Sequence, residues 1–240
     1  MKSKVLSALL IAALIGLPAM FSPALSRADD TTTDQDRIKS AGRVLKEIMD
    51  IPDDIPQSLI DKADCVVVYP TVLKAAFIVG ASYGRGVMSC RSGDDFHGPW
   101  SAPSMMALEG ASIGFQIGGQ ATDFVILVMN DGGANAILAS KVKLGGDASV
   151  AAGPVGRDAA AATDVTLRAQ MLTYSRARGV FAGVSLEGST IRPDNDANRR
   201  IYGKDVSARE IVLHNAVRPT PDAKLLLSTL RAHSPRHSTR

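Results

Sequence analysis

Only two cysteines and four histidines occur in these 240 residues, and that scarcity removes whole classes of chemistry. Two thiolates with no histidine near them make an incomplete ligand set for a tetrahedral zinc site. No D-x-D-x-D-G loop is present to wrap calcium, and no Walker spacing with its Lys-Ser/Thr end supports a nucleotide site. Net charge is scarce as well. Of the 27 lysines and arginines, Lys2, Lys4 and Arg27 precede Asp29, whereas all 24 acidic residues lie at or beyond it. From Asp29 onward the chain is neutral, which takes away the electrostatic footing of a nucleic-acid binder. Long apolar runs are lacking too. Val5–Leu17 is interrupted soon after by Pro18 and Pro23, short of the roughly 20 residues that a membrane span needs.

What is there begins with an export signal: the basic start at Lys2 and Lys4, the apolar stretch, and the small-x-small site Ser26-Arg27-Ala28 before Asp29. Residues 1–28 are expected to be a signal peptide, giving a periplasmic or extracellular protein. No cysteine lies near the cleavage point, so a lipoprotein anchor is not expected. An oxidising compartment favours pairing of Cys65 with Cys90, although two separately buried thiols fit the same sequence. An apolar content of 45% over this length suits one domain with one full core. Charge is unevenly placed within it. Residues 191–240 carry ten Lys and Arg against five acidic residues, which suits either a solvated tail or an anionic membrane surface.

The periodicity predicts helices at both ends of a strand-rich centre. Over residues 29–50, Thr33 is placed to cap a helix with Ile38, Ala41, Val44, Leu45, Ile48 and Met49 on one face and Arg37, Lys39, Arg43 and Lys46 around it. That helix either covers an open sheet or lies in a lipid interface. A short helix follows at Ile55–Ala63. Strands are expected at Val66–Tyr69, ending in a turn at Pro70-Thr71, then at Ala75–Ser82, Arg85–Arg91, Ser112–Ile117, Asp123–Met129, Ala136–Leu144, Ala148–Ala152 and Gly179–Glu187. A helix is expected around Leu167–Ser175. Such a set reads as an α+β domain: a glycine-rich, mostly antiparallel sheet, sandwich or barrel-like, with an N-terminal amphipathic helix and flanking helices. Residues 216–240 form a basic C-terminal helix and tail.

Two G-x-S-x-G matches raise a serine hydrolase, with Ser82 and Ser112 as nucleophiles. The motif has its mechanical meaning only where a strand turns sharply into a helix, and both matches continue into extended sequence. His97, His214, His233 and His237 lie in loops or the tail. Asp123 and Glu187 adjoin apolar strands, and burial of either calls for a cation such as Arg157 or Arg178. Aspartate at a turn, as at Asp147, usually binds its own backbone. Gly145, Gly146, Gly153 and Gly156, with Lys141, Lys143 and Arg157, are compatible with an anionic headgroup pocket. A tight array of turns explains the same glycines.

The segments Lys141–Asp158 (KVKLGGDASVAAGPVGRD), Ser175–Ser189 (SRARGVFAGVSLEGS) and Gly98–Asp123, followed by the apolar Phe124–Met129, together resemble the SYLF domain, the lipid-binding module known from the yeast actin-regulator family. The resemblance runs from about Ile51 to Tyr202, placing the domain within residues 51–215. It implies a non-catalytic phospholipid-binding module with no cofactor, whose partner is an anionic membrane surface. The expected lipid-binding residues are Ile38, Arg43, Val44, Leu45, Lys46 and Ile48 of the first helix, with Lys141, Lys143 and Arg157. The sequence shows no accompanying SH3 or FYVE module, and actin is not an expected partner of an exported protein. A serine or carboxylate hydrolase and a structural envelope protein are the alternatives.

Overall fold

In the computed structural model, residues 23–51, 55–76, 79–113, 118–155, 168–177 and 180–235 are described; most of the expected signal segment and Arg157 and Arg178 fall outside them. The fold is α+β, a single curled, mostly antiparallel sheet with helices on both faces. Its strands are β1 (Cys65–Ala76), β2 (Val79–Cys90), β3 (Ser104–Ile113), β4 (Gly118–Val128), β5 (Val142–Lys143), β6 (Val150–Ala152), β7 (Met171–Ala177), β8 (Val180–Gly183) and β9 (Thr190–Pro193). They run in the order β5-β9-β3-β2-β1-β4-β7-β6, with β8 also on β7. Among these ladders only β6–β7 is parallel. The helices are α1 (Pro23–Met49), α2 (Gln57–Lys62), α3 (Asp131–Ala139), α4 (Asn195–Tyr202), α5 (Ala208–Val212) and α6 (Lys224–His233).

Side chains alternate across a strand, and here both faces are covered. Val66, Val68, Val125, Leu127 and Leu172 face a core layer shared with α1, α2 and α6. Cys65, Val67, Tyr69, Phe124, Ile126 and Val128 face the opposite layer, closed by α3 and α5. Double coverage is why the VVVY and FVILV stretches are apolar throughout instead of alternating. Cys65 and Cys90 are register partners on β1 and β2 and are joined by a disulfide.

Several local expectations are corrected. α1 starts at Pro23, so Thr33 sits inside the helix and does not cap it. β1 does not turn at Pro70-Thr71 but passes through with a register shift, Thr71 taking a positive φ of 58°. The segments expected as two strands at 75–82 and 85–91 are largely covered by one strand, β2. Residues 131–139 are helical where a strand from Ala136 was expected, because the Asn130 side chain accepts from Gly133 N and caps the first turn. The expected helix at 167–175 gives way to β7, whose Met171–Tyr174 stretch is buried between β4 on one side and β6 and β8 on the other. Strand pairing on both edges outweighs a short helical pattern of low intrinsic stability.

Two polar clusters fix the helices of the α1 layer. Asp34 on α1 is fully buried, accepting from Arg37 Nη1 at 2.8 Å and Arg200 Nε at 2.8 Å, with Arg85 Nη1 at 3.6 Å. Arg85 also reaches Asp194 at 3.2 Å, and Asp194 caps α4. α1, β2 and α4 are thereby joined through one charge cluster. At the other end, buried Arg91 stacks on Trp100 at 4.3 Å and donates to Ser234 O at 2.7 Å, while Trp100 Nε1 donates to the same carbonyl at 3.0 Å. A cation at the last carbonyls complements the helix dipole and pins the C-terminus of α6.

Candidate functional site

The α1 face expected to enter lipid is the face that packs inward. Ile38, Leu45 and Ile48 are 0% exposed and Val44 6%, all within the layer that covers Val66, Val68 and Val125. Of the two readings of this helix, burial supports the sheet-covering one. Each such side chain contributes about 1.5–3 kcal/mol by leaving water. Lipid would return that for the helix but not for the sheet residues left uncovered.

What α1 offers outward is charge. Lys39, Arg43 and Lys46 follow one another at helical spacing along its exposed side, but they are not equally available. Lys46 pairs with Asp50 at 2.6 Å. Lys39 lies 3.4 Å from both Asp36 and Asp222, and its hydrogen bonds to Asp222 and then Asp36 hold the ammonium above its ordinary pKa. Arg43 donates to the Ser40 hydroxyl at 2.9 Å and, among the described residues, has no carboxylate partner. Lys224, the first residue of α6, likewise has none.

Arg43 and Lys224 meet at a groove of about 450 Å³ between α1 and the start of α6, lined also by Lys39, Pro221, Asp222, Leu225 and Ser228. Gly42 draws α1 and α6 together, because a Cβ there would lie 2.8 Å from Leu226 N, so only glycine lets the two helices approach this closely. The α6 half of the groove was missed from sequence. Its residues lie some 180 positions from α1, and the basic excess of the C-terminal 50 residues was the one signal pointing there.

The second expected cluster is arranged differently. Lys141 Nζ lies 3.4 Å from Glu109, whose carboxylate also receives Arg192 at 2.9 Å. Hydrogen bonds from Arg192, with Lys141 adding to them, outweigh burial and hold that carboxyl below its ordinary pKa. Lys143 donates its backbone N–H to Asp147 Oδ2 at 2.8 Å, and the amides of Gly145 and Gly146 go to Ala148 O and Lys143 O. Those amides close a turn and are not free to cradle an anion. Gly153 serves packing, since a Cβ there would sit 2.0 Å from the Tyr174 ring. Lys141 and Lys143 flank Val142, which packs in the α3/α5 layer.

The candidate hydrolase residues lie in paired strands, an ion pair and a turn. Ser82 and Ser112 sit within β2 and β3 opposite Gly110 and Gly80, with no strand-to-helix elbow at either among the described residues. Asp123 accepts from Arg176 at 2.8 Å and from Thr71 N at 2.9 Å. It is a structural ion pair, with Arg176 as the cation in place of the expected Arg157 or Arg178. Glu187 is exposed beside the Gly188 turn. Among the described residues no group of three His, Cys, Asp or Glu side chains could hold a metal ion, and no helix is long and apolar enough to cross a membrane.

Fold and groove together define an α+β module with a doubly covered sheet and a cationic cleft on its outer helices. A family model described as Las17-binding protein actin regulator matches residues 109–233, just over half the chain. The chain belongs to this Ysc84 family, that of the SYLF domain. It is 37% identical over 190 residues to an SH3 domain-containing protein of Schizosaccharomyces pombe, covering 75% of this chain and 43% of that one. It is 37% identical over 188 residues to human SH3 domain-containing YSC84-like protein 1, covering 75% and 54%. With LAS seventeen-binding protein 3 of Saccharomyces cerevisiae the identity is 36% over 183 residues, covering 75% and 39%. The chain thus spans about half the length of the curated relatives it matches.

Proposed function

We propose that this chain is an exported, non-catalytic module that docks reversibly on anionic phospholipid membranes through the outer side of α1 and the start of α6. The observation that carries this reading is the pairing state of the cations: Arg43 and Lys224 face one groove, and among the described residues no carboxylate neutralises either. A basic residue near an anionic surface contributes roughly 1 kcal/mol, so even a few such residues give weak, reversible attachment. Export is supported by the signal-like first 28 residues and by the Cys65–Cys90 disulfide, which suits an oxidising compartment. Co-sedimentation with vesicles of phosphatidylglycerol in phosphatidylcholine tests the reading. Binding that rises with the phosphatidylglycerol fraction is expected. Failure to bind any anionic vesicle at low salt overturns it.

A further inference from the structure

We propose that the α1/α6 groove is a one-to-one site for a single anionic phospholipid molecule, and not merely part of a charged surface facing many headgroups; this rests on the membrane-docking reading above. A charged surface needs no concavity and no apolar floor, and this groove has both. Its volume of about 450 Å³ falls within the range of about 300–1,000 Å³ typical of small-molecule pockets. Its charges are grouped: Arg43 comes from one helix and Lys224 from the other, with the Lys39–Asp222 pair joining α1 to the turn just before α6. Two cations lacking a carboxylate fit one phosphodiester, which can accept from a guanidinium and an ammonium together.

The rest of the lining is chemically different. Pro221 and the partly buried Leu225 present carbon, and Ser228 turns its hydroxyl back to Leu225 O at 2.9 Å. That hydroxyl satisfies its own helix. A ligand with a charged end and a hydrocarbon end complements this lining, whereas free phosphate would fill only the cationic part. α1 is held against the sheet by the buried Asp34 cluster and against α6 by the Gly42 approach, so the groove is formed before any ligand arrives. Preorganisation of this kind lowers the ordering cost of binding.

The test uses dihexanoyl-phosphatidylglycerol below its micelle concentration, inorganic phosphate, and phosphatidylglycerol vesicles, each with wild type, Ser228→Trp and Arg43→Gln/Lys224→Gln. Ser228 is exposed, so tryptophan there fills the groove without removing charge, and thermal unfolding checks that both variants keep the fold. The wild type is expected to bind one short-chain lipid per chain, at least about tenfold tighter than phosphate, because burying even two methylenes supplies that difference. Ser228→Trp should lose about tenfold or more for the monomeric lipid, a larger factor than it loses on vesicles at low salt. The double glutamine variant should lose about thirtyfold for the lipid and weaken on vesicles too. The groove proposal is overturned, with membrane docking intact, if vesicles bind but the monomeric lipid does not, if Ser228→Trp binds it like wild type, or if phosphate binds as tightly as the lipid. Absence of vesicle binding at every composition removes both readings.

Discussion

The α1/α6 groove and the β5–β6 turn look alike in sequence, each combining lysine or arginine with glycine, yet the fold uses them in opposite ways. At the turn, Lys141 and Arg192 converge on Glu109, and the amides of Gly145 and Gly146 are taken by the turn itself. At the groove, glycine brings two helices together, while Arg43 and Lys224 keep their charge unneutralised. Counting basic residues therefore overstates a binding surface. What remains after internal pairing decides it.

The largest expected effect comes from the extreme case of internal pairing. Asp34→Asn leaves Arg37, Arg85 and Arg200 without the buried carboxylate they share. Breaking a buried pair typically costs about 3–5 kcal/mol, so the denaturant midpoint should fall sharply. An unchanged midpoint would mean that this cluster does not hold α1 to the sheet.

Next in size is the contrast between the two regions. Arg43→Gln/Lys224→Gln should weaken vesicle binding by about 2 kcal/mol, at roughly 1 kcal/mol per cation, whereas Lys141→Gln/Lys143→Gln should change it much less. Equal losses in sedimentation assays of the two double variants would dissolve the distinction.

A smaller effect comes from converting one region toward the other. Glu109→Gln releases Lys141 and Arg192 from their shared carboxylate and should raise vesicle affinity several-fold, at about 1 kcal/mol or less for partly exposed cations. The same carboxylate gives a pH test. Its folded pKa lies below the ordinary 4.5, so its stabilising contribution is present above that value and is lost as pH falls through the depressed one. Wild type should therefore lose slightly more stability than Glu109→Gln in acid unfolding below pH 4.5, and parallel curves would count against the Arg192 pairing.

The sheet was legible where burial on both faces wrote continuous apolar runs, as at Val66–Tyr69 and Phe124–Val128. It was less legible where pairing, not periodicity, decides. β7 reads as a possible helix until β4, β6 and β8 are known to flank it, and α3 depends on one side-chain cap at Asn130. The capping box at Ser207–Glu210 and the Asp194 and Gly203 caps of α4 are local signals for two helices that the apolar periodicity alone did not predict. On α1 the periodicity revealed the apolar face and the exposed arginine and lysines correctly. It could not say which side faces the sheet and which is left outside, because that depends on what the rest of the chain leaves uncovered. The Asp34–Arg200 contact joins residues too far apart in sequence for any local pattern to show.

Salt dependence of vesicle binding bears most directly on the claim that α1 docks with its charged side while its apolar side stays in the core. Raising salt from 0.1 M to 1 M shortens the Debye length from about 10 Å to about 3 Å, screening exposed charges and leaving apolar insertion untouched. Sedimentation of the wild-type protein with phosphatidylglycerol vesicles should be strong at 0.1 M and nearly abolished at 1 M. Undiminished binding at 1 M salt would show that apolar surface enters the bilayer and would contradict the account.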